Sequence, residues 1–240
     1  MDNALYYLAV NRQVGLRAEM QSVANNIANL QTNGYRREGL AFTEHVVAVA
    51  RGESVSMADL GARYASELAG EVTLTGGRFD VAIEGDGYFL LQSGAETVLT
   101  RAGAFQLSGD GSLVTPSGDR VLDAGGAPIA IPPGSGDLGI GADGTISANG
   151  QPVAQIAVVT APFERMSRFG NTAFRVDAGG YQPVEVPKVR QGALERSNVD
   201  AIVEVARMIE VSRAYEMAQS VITDEDERVR ETIRTLGAQV

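Results

Sequence analysis

The chain contains no cysteine and a single histidine, His45, in 240 residues. Without cysteine there are no disulfides, no thiolate zinc ligands and no cysteine nucleophile. With one histidine, a Ser-His-Asp triad or a metal site would have to use His45, and only Glu44 stands beside it as a partner. No run approaches 18 apolar residues, the length a membrane-spanning helix needs. The opening segment lacks the basic stretch and unbroken apolar run of a secretory signal, because Asp2, Asn11, Arg12 and Gln13 interrupt it. The expectation is a protein that stays in the cytosol or leaves by a route needing no cleaved signal. Net charge is −10, which argues against nucleic-acid partners and anionic membranes.

What is present is a hydrophobic content of 44% and a glycine count of 28. The first supports a packed core. The second points to a β-rich region with many chain reversals.

Both ends of the chain read as helix. From about Asn3 to Leu30, the residues Leu16, Met20, Val23, Ile27 and Leu30 are spaced 4, 3, 4, 3, a narrow coiled-coil type of seam. The same spacing also fits one helix facing a core. Thr32-Asn33-Gly34 ends the helix, with Gly34 suited to the left-handed cap position. Asn25, Asn26 and Asn29 crowd this end, although asparagine is a poor mid-helix residue. Either they make specified contacts between helices, or the helix frays before Gly34.

The last helix is expected from Ser197, with Ser197 as N-cap and Asp200 three residues on. Met208, Val211, Tyr215, Ala218, Ile222, Glu225, Val229, Thr232 and Leu236 repeat at 3 and 4 through about four heptads. A helix of this length spans roughly 57 Å and needs another helix to cover its stripe. Charge favours pairing of the two ends. Residues 1–37 carry four Arg and two acids, giving +2, and residues 195–236 carry six Arg and ten acids, giving −4.

Between the ends the period changes to two. Phe79, Val81 and Ile83 alternate with smaller or polar residues. Short apolar runs follow at 88–91, 105–107, 113–114, 121–122, 129–131, 156–159 and 174–176. Asp86-Gly87, Gly109-Asp110-Gly111, Asp143-Gly144 and Asn149-Gly150 supply turns. The fold expected is α+β. Long terminal helices form a coiled-coil-like domain, 1–37 together with 190–240, and an antiparallel all-β domain spans 71–182. Residues 38–70 are read as an extended connector, and 183–189 as a proline-containing linker.

Candidate chemistry is sparse. Gly134-Ser135-Gly136-Asp137-Leu138-Gly139 fits G-x-G-x-x-G, but Pro132-Pro133 precede it and no helix can open within it, so it reads as a loop. Asp110-Gly111 and Asp143-Gly144 lack the remaining ligands of a calcium loop. Asp224-Glu225-Asp226-Glu227 reads as a solvated face or an inter-subunit polar contact. No catalytic, cofactor or metal residue is nominated. A ligand-binding or enzymatic β-domain carried on oligomerisation arms stays as the alternative, distinguished by a cleft of clustered polar groups.

Ala24-Asn25-Asn26-Ile27-Ala28-Asn29, with Thr32-Asn33-Gly34-Tyr35-Arg36, resembles the N-terminal signature of bacterial flagellar rod and hook proteins. Gly192, Leu194, Glu195 and Ser197-Asn198-Val199, with Arg213 and Tyr215-Glu216, resemble that family's closing segment. The stretches Asp80 to Phe89, Thr100 to Phe105 and Gly111 to Thr115 are similar to its shared β-domain. Within the family, Met1 to Tyr6 and Pro128 to Pro132 look more like proximal-rod members than distal-rod ones.

The resemblance implies a non-enzymatic subunit of the flagellar rod, the shaft that crosses the periplasm. It implies export by the flagellar type III apparatus. Partners would be other copies of the chain and neighbouring rod proteins, with no nucleic acid and no membrane insertion. The expected interface lies on the terminal helices: Leu16, Met20, Val23, Asn25, Asn26, Ile27, Asn29, Leu30, Asn198, Val199, Met208, Val211, Tyr215, Ala218, Ile222, Val229 and Leu236. No cofactor is expected.

Overall fold

A computed structural model describes residues 2–49, 53–136, 138–177 and 179–237. Two α-helices flank a largely antiparallel β region: α1 (Asp2–Ala28) and α2 (Ala201–Gly237). The class is α+β. The chain divides into two compact units.

The first unit joins α1, residues 38–64 and α2. Strands β1 (Glu38–Val49) and β2 (Glu53–Ala65) pair with each other in a two-stranded sheet. The helices run antiparallel, since Asn26 bonds to Glu204, Glu19 to Arg207 and Gln13 to Gln219. Along α2, Val211 and Ala218 are buried, and Met208, Tyr215 and Ile222 half-buried. On α1, Val23 is buried, and Leu16, Met20 and Ile27 half-buried. Residues at 3 and 4 spacing thus share the covered face of each helix, as helical geometry requires. The helix start differs from expectation. Asp200, not Ser197, caps α2: its Oδ1 accepts from the amides of Ile202 and Val203 at 2.8 and 3.1 Å. The Ser197 hydroxyl instead takes the Val199 amide. Both types are good caps, and the chain is still extended at Ser197.

The second unit comprises Asn29–Arg37 and Ala65–Val199. Its main sheet runs β14 (Met166–Phe169), β15 (Ala173–Val176), β6 (Glu96–Thr100), β5 (Tyr88–Ser93), β9 (Arg120–Val121), β8 (Leu113–Val114), β7 (Gln106–Leu107). Strand β13 (Val158–Thr160) pairs with β5 and with β16 (Gln182–Pro183). A separate meander holds β10 (Leu138–Ile140), β11 (Thr145–Ala148) and β12 (Gln151–Gln155). Two small pairs complete the unit. Strand β17 (Val189–Gln191) joins β4 (Val81–Ile83), and β18 (Ala193–Glu195) joins β3 (Val72–Leu74). Every strand pairing among the described residues of this unit is antiparallel.

One apolar core gathers Val81, Ile83, Phe89, Leu91, Val98, Phe105, Ile129 and Ile156. A second gathers Leu90, Leu99, Leu122, Val159 and Phe174. Phe89 and Leu91 point to the first and Leu90 to the second, so β5 is apolar on both faces, as a strand between two cores must be.

Candidate assembly surface

In the first unit, α1 holds the start of β1 and the start of α2 through one asparagine. Asn26 is 1% exposed. Its Nδ2 donates to the Glu38 carbonyl at 2.9 Å, and its Oδ1 accepts the Glu38 amide at 2.8 Å. The same Nδ2 reaches Glu204 Oε2 at 3.2 Å. Ser22 Oγ also donates to the Glu38 carbonyl. Glu204 is fully buried, and the buried Glu38 carboxylate pairs with Arg63 at 2.9 Å. A buried amide that satisfies both backbone groups of a strand residue acts as a neighbouring strand would.

The other asparagines are used more locally. Asn25 accepts from Gln21 on the exposed side of α1, and the side chain and carbonyl of Asn29 accept from Thr32. Helix α1 ends at Ala28 and a turn carries the chain to Gly34, whose φ is +69°. Leu30 is half-buried beyond the helix end.

In the second unit, segments far apart in sequence meet in one buried ionic cluster. Glu195 is 2% exposed and lies between two buried arginines. Its Oε1 is 3.0 Å from Arg36 Nη2, and its Oε2 is 2.7 Å from Arg101 Nε. The Arg101 contact is an ion pair out of hydrogen-bond alignment, so Arg101 Nε and Arg36 Nε both lack a hydrogen-bond acceptor among the described residues. The remaining guanidinium donors go to backbone. Arg101 binds the carbonyls of Gly87 and Gly85, and Arg36 those of Glu67 and Leu68. Burial pulls Arg36 below the ordinary arginine pKa and Arg101 pulls the same way, while Glu195 opposes them. Burial likewise raises Tyr88, although Arg36 and Arg101 oppose that rise.

Asn198 completes the clasp. Its Oδ1 accepts the Arg37 amide at 2.6 Å, and its Nδ2 donates to the Leu68 carbonyl at 2.7 Å. Its own amide reaches the Tyr35 carbonyl, and the Gly34 amide binds the Glu195 carbonyl at 2.8 Å. Arg168 lies over the Tyr35 and Phe174 rings and donates to the Arg36 carbonyl. The entering segment at 34–37 and the leaving segment at 193–198 are therefore fastened to each other and, through Arg101, to the loop at 85–87.

Among the nominated residues, Val23, Asn26, Val211 and Ala218 are buried, and their contacts are intramolecular. Val199 is half-buried. Val229 is 45% exposed. Leu236 lies in α2, but its side chain is outside the described residues. Arg36, Arg101 and Glu195 were not nominated. The signal was available, since each is a charged residue inside one of the three motifs.

Comparison with known proteins places this architecture. The family described as flagellar hook protein FlgE/F/G D1 domain matches residues 82–148, and the flagellar basal body rod FlgEFG protein C-terminal family matches residues 190–235. The protein from Mesorhizobium japonicum named flagellar basal-body rod protein FlgF is 37% identical over 97% of this chain and 98% of its own length. The chain belongs to the flagellar basal-body rod protein family. A FlgF of Caulobacter vibrioides is 35% identical over 99% of both chains. The rod protein FlgG of Bacillus subtilis is 30% identical over 95% of this chain and 97% of its own length. The rod-family C-terminal match covers Glu195, Asn198 and most of α2, and the D1 match covers Arg101 and the β5–β6 hairpin.

Proposed function

We propose that this chain is a structural subunit of the bacterial flagellar rod, of FlgF rather than FlgG type. Relatives named FlgF are 35–37% identical to it and those named FlgG 28–33%. The observation that carries the reading is the clasp. Motif residues from both ends of the chain, Arg36 and Glu195, meet Arg101 in one buried cluster. Such a cluster ties both terminal segments to the β framework, which suits a subunit that passes torque.

In this reading the helical ends, 1–37 with 190–240, pack against neighbouring subunits, and residues 71–182 are an inserted β-domain. Residues 38–70, which include the paired strands β1 and β2, run from the first segment to the β-domain, and 183–189 link back. The partners are further copies and neighbouring rod proteins, and the type III apparatus exports the chain unfolded to a rod across the periplasm. No catalytic step is assigned. The test is genetic. Cells lacking this chain should not swim, and the wild-type gene should restore swimming. Ile222→Asp should not restore it, while the 65–199 unit of the purified variant keeps its β-sheet circular dichroism. Normal swimming of cells lacking the chain overturns the proposal.

A further inference from the structure

The chain contains two Asn-Gly pairs, Asn33-Gly34 and Asn149-Gly150, both in the second unit. An asparagine followed by glycine is the pair most open to attack of the backbone on the side chain. Glycine has no Cβ, so its amide nitrogen can approach the asparagine Cγ closely. The fold treats the two pairs in opposite ways.

Gly34 is buried, and its amide donates to the Glu195 carbonyl at 2.8 Å. The backbone of Ala102 and Arg101 lies against it, 2.2 and 2.5 Å from where a Cβ would stand. A nitrogen held in a hydrogen bond and walled in by backbone cannot swing onto Asn33.

Asn149-Gly150 is the whole of a two-residue turn. Ala148 pairs with Gln151 across it, and φ is +52° at Asn149 and +76° at Gly150. Two left-handed residues in a row make the type I′ turn, for which Asn-Gly is a preferred pair. Both residues are exposed. Among the described residues the Gly150 amide donates to no backbone carbonyl. Apart from its chain neighbours, nothing lies within 4 Å of a Cβ placed on Gly150. The pair that suits the turn thus leaves its backbone nitrogen open to the side chain beside it.

We propose that Asn149 is a site of spontaneous deamidation, with water as the co-reactant, and that the clasp protects Asn33 from the same reaction. Hydroxide takes the Gly150 amide proton, and the nitrogen bonds to Asn149 Cγ. The Cγ–Nδ2 bond breaks, and ammonia leaves with a proton from water, which returns the hydroxide. Water then opens the cyclic imide at either carbonyl. One opening gives aspartate. The other gives isoaspartate, with the main chain running through the former side chain. One water is consumed and one ammonia released, with no oxidant or reductant. Each event adds one negative charge to a chain already at −10.

Isoaspartate also lengthens a turn that has no slack. Its extra main-chain carbon falls between Ala148 and Gln151, whose pairing helps set the register of β11 on β12. Ile146 and Ala148 on β11 are buried in the first core. The isoaspartyl form should therefore loosen the β10–β12 meander. Aspartate tolerates the left-handed region as asparagine does, and should leave the meander in place. None of this rests on the rod-subunit reading.

The full chain is held in warm, mildly alkaline buffer made with heavy-oxygen water, once folded and once in urea. Digestion and mass spectrometry then follow label entry at each asparagine, and electron-driven fragmentation separates isoaspartate from aspartate. Urea removes the fold, so each pair there reports its intrinsic rate. Asn149 should react in the folded chain at close to its rate in urea. Asn33 should be slowed about tenfold or more, since each ~1.4 kcal/mol of local opening slows a reaction about tenfold. Asn149→Gly, which keeps the left-handed turn, should remove the first acidic species that ion exchange resolves from the folded chain. An Asn149 slowed by folding as much as Asn33 overturns the proposal. So does an acidic species that persists unchanged in Asn149→Gly. An Asn33 that reacts in the folded chain at its urea rate overturns the protection assigned to the clasp.

Discussion

Asn26 and Glu38 exchange two hydrogen bonds, amide nitrogen to carbonyl at 2.9 Å and backbone nitrogen to amide oxygen at 2.8 Å. A helix side chain here takes the place of a strand neighbour, and the same nitrogen reaches the buried Glu204. Asn26→Leu removes donor and acceptor together: the buried Glu38 amide loses its acceptor, and the Glu38 carbonyl and the Glu204 carboxylate each lose one donor, with Ser22 still serving the carbonyl. Such losses cost about 1–3 kcal/mol per unsatisfied group. The expected outcome is a clear drop in the thermal midpoint of the helical unit, followed by circular dichroism at 222 nm on the full chain. Amide exchange at Glu38 should accelerate most. Gln21→Leu, which touches only the exposed partner of Asn25, should leave both readings unchanged.

Glu195 offsets two buried guanidinium groups, so its removal is expected to be severe. Glu195→Gln keeps the shape and deletes the charge. Breaking a buried pair from one side costs about 3–5 kcal/mol, because the orphaned charge stays in low dielectric. Two such charges stand here, so the loss should reach at least the upper part of that range. Urea unfolding of the full chain, followed by Tyr fluorescence, measures it. Glu96→Gln, which breaks an exposed pair with Arg175, is the control and should change stability by less than about 1 kcal/mol.

Asp110 tests a smaller electrostatic effect. The Ser108 hydroxyl, and then the Ser112 backbone amide, hold its carboxyl below the ordinary aspartate range. A depressed folded pKa contributes stability above the unfolded value, ~3.9. That contribution is lost as pH falls through the lower folded value. Ser108→Ala should move the Asp110 midpoint upward in a carboxyl-carbon NMR titration. Asp110→Asn should make acid unfolding less steep at the acid end. An unchanged midpoint in Ser108→Ala would show that the backbone bond alone sets the shift.

Much of this architecture is written in local pattern. The 3-and-4 spacing of Val211, Ala218 and Ile222 put them on the covered face of α2, and the alternation of Val81 and Ile83 placed them in the core. Local pattern gave the wrong cap, since Ser197 and Asp200 are equally good at that task. What separates them is tertiary. Asn198 is engaged by Arg37, Leu68 and Tyr35, so the chain stays extended until Asp200. Arg36, Arg101 and Glu195 carry no sign of burial when taken singly. Only the tertiary contact of 34–37 with 193–198 makes them one buried cluster, and no periodicity encodes that meeting. In the same way, Val229 continues the spacing of Val211 without a break, and only the packed structure separates a covered residue from an exposed one.

Two glycines with nearly the same backbone angle separate conformational strain from steric conflict. Gly34 has φ +69° and Gly76 has φ +70°. An added methyl at Gly76 meets open space within 4 Å, but at Gly34 it falls 2.2 Å from the Ala102 nitrogen and 2.5 Å from the Arg101 carbonyl carbon. Gly76→Ala therefore carries only the left-handed penalty, about 1–2 kcal/mol. Gly34→Ala adds a clash with backbone that no rotamer change relieves. It also pushes apart the turn whose amide binds the Glu195 carbonyl and the segment that carries Arg101. The expected order is wild type, then Gly76→Ala, then Gly34→Ala, in thermal midpoint and in resistance of the full chain to trypsin at Arg36 and Arg101. Equal midpoints for the two alanine variants would mean that the turn at Gly34 yields at no cost, and that the tight seat of Gly34 against the Arg101 segment is not what holds the clasp.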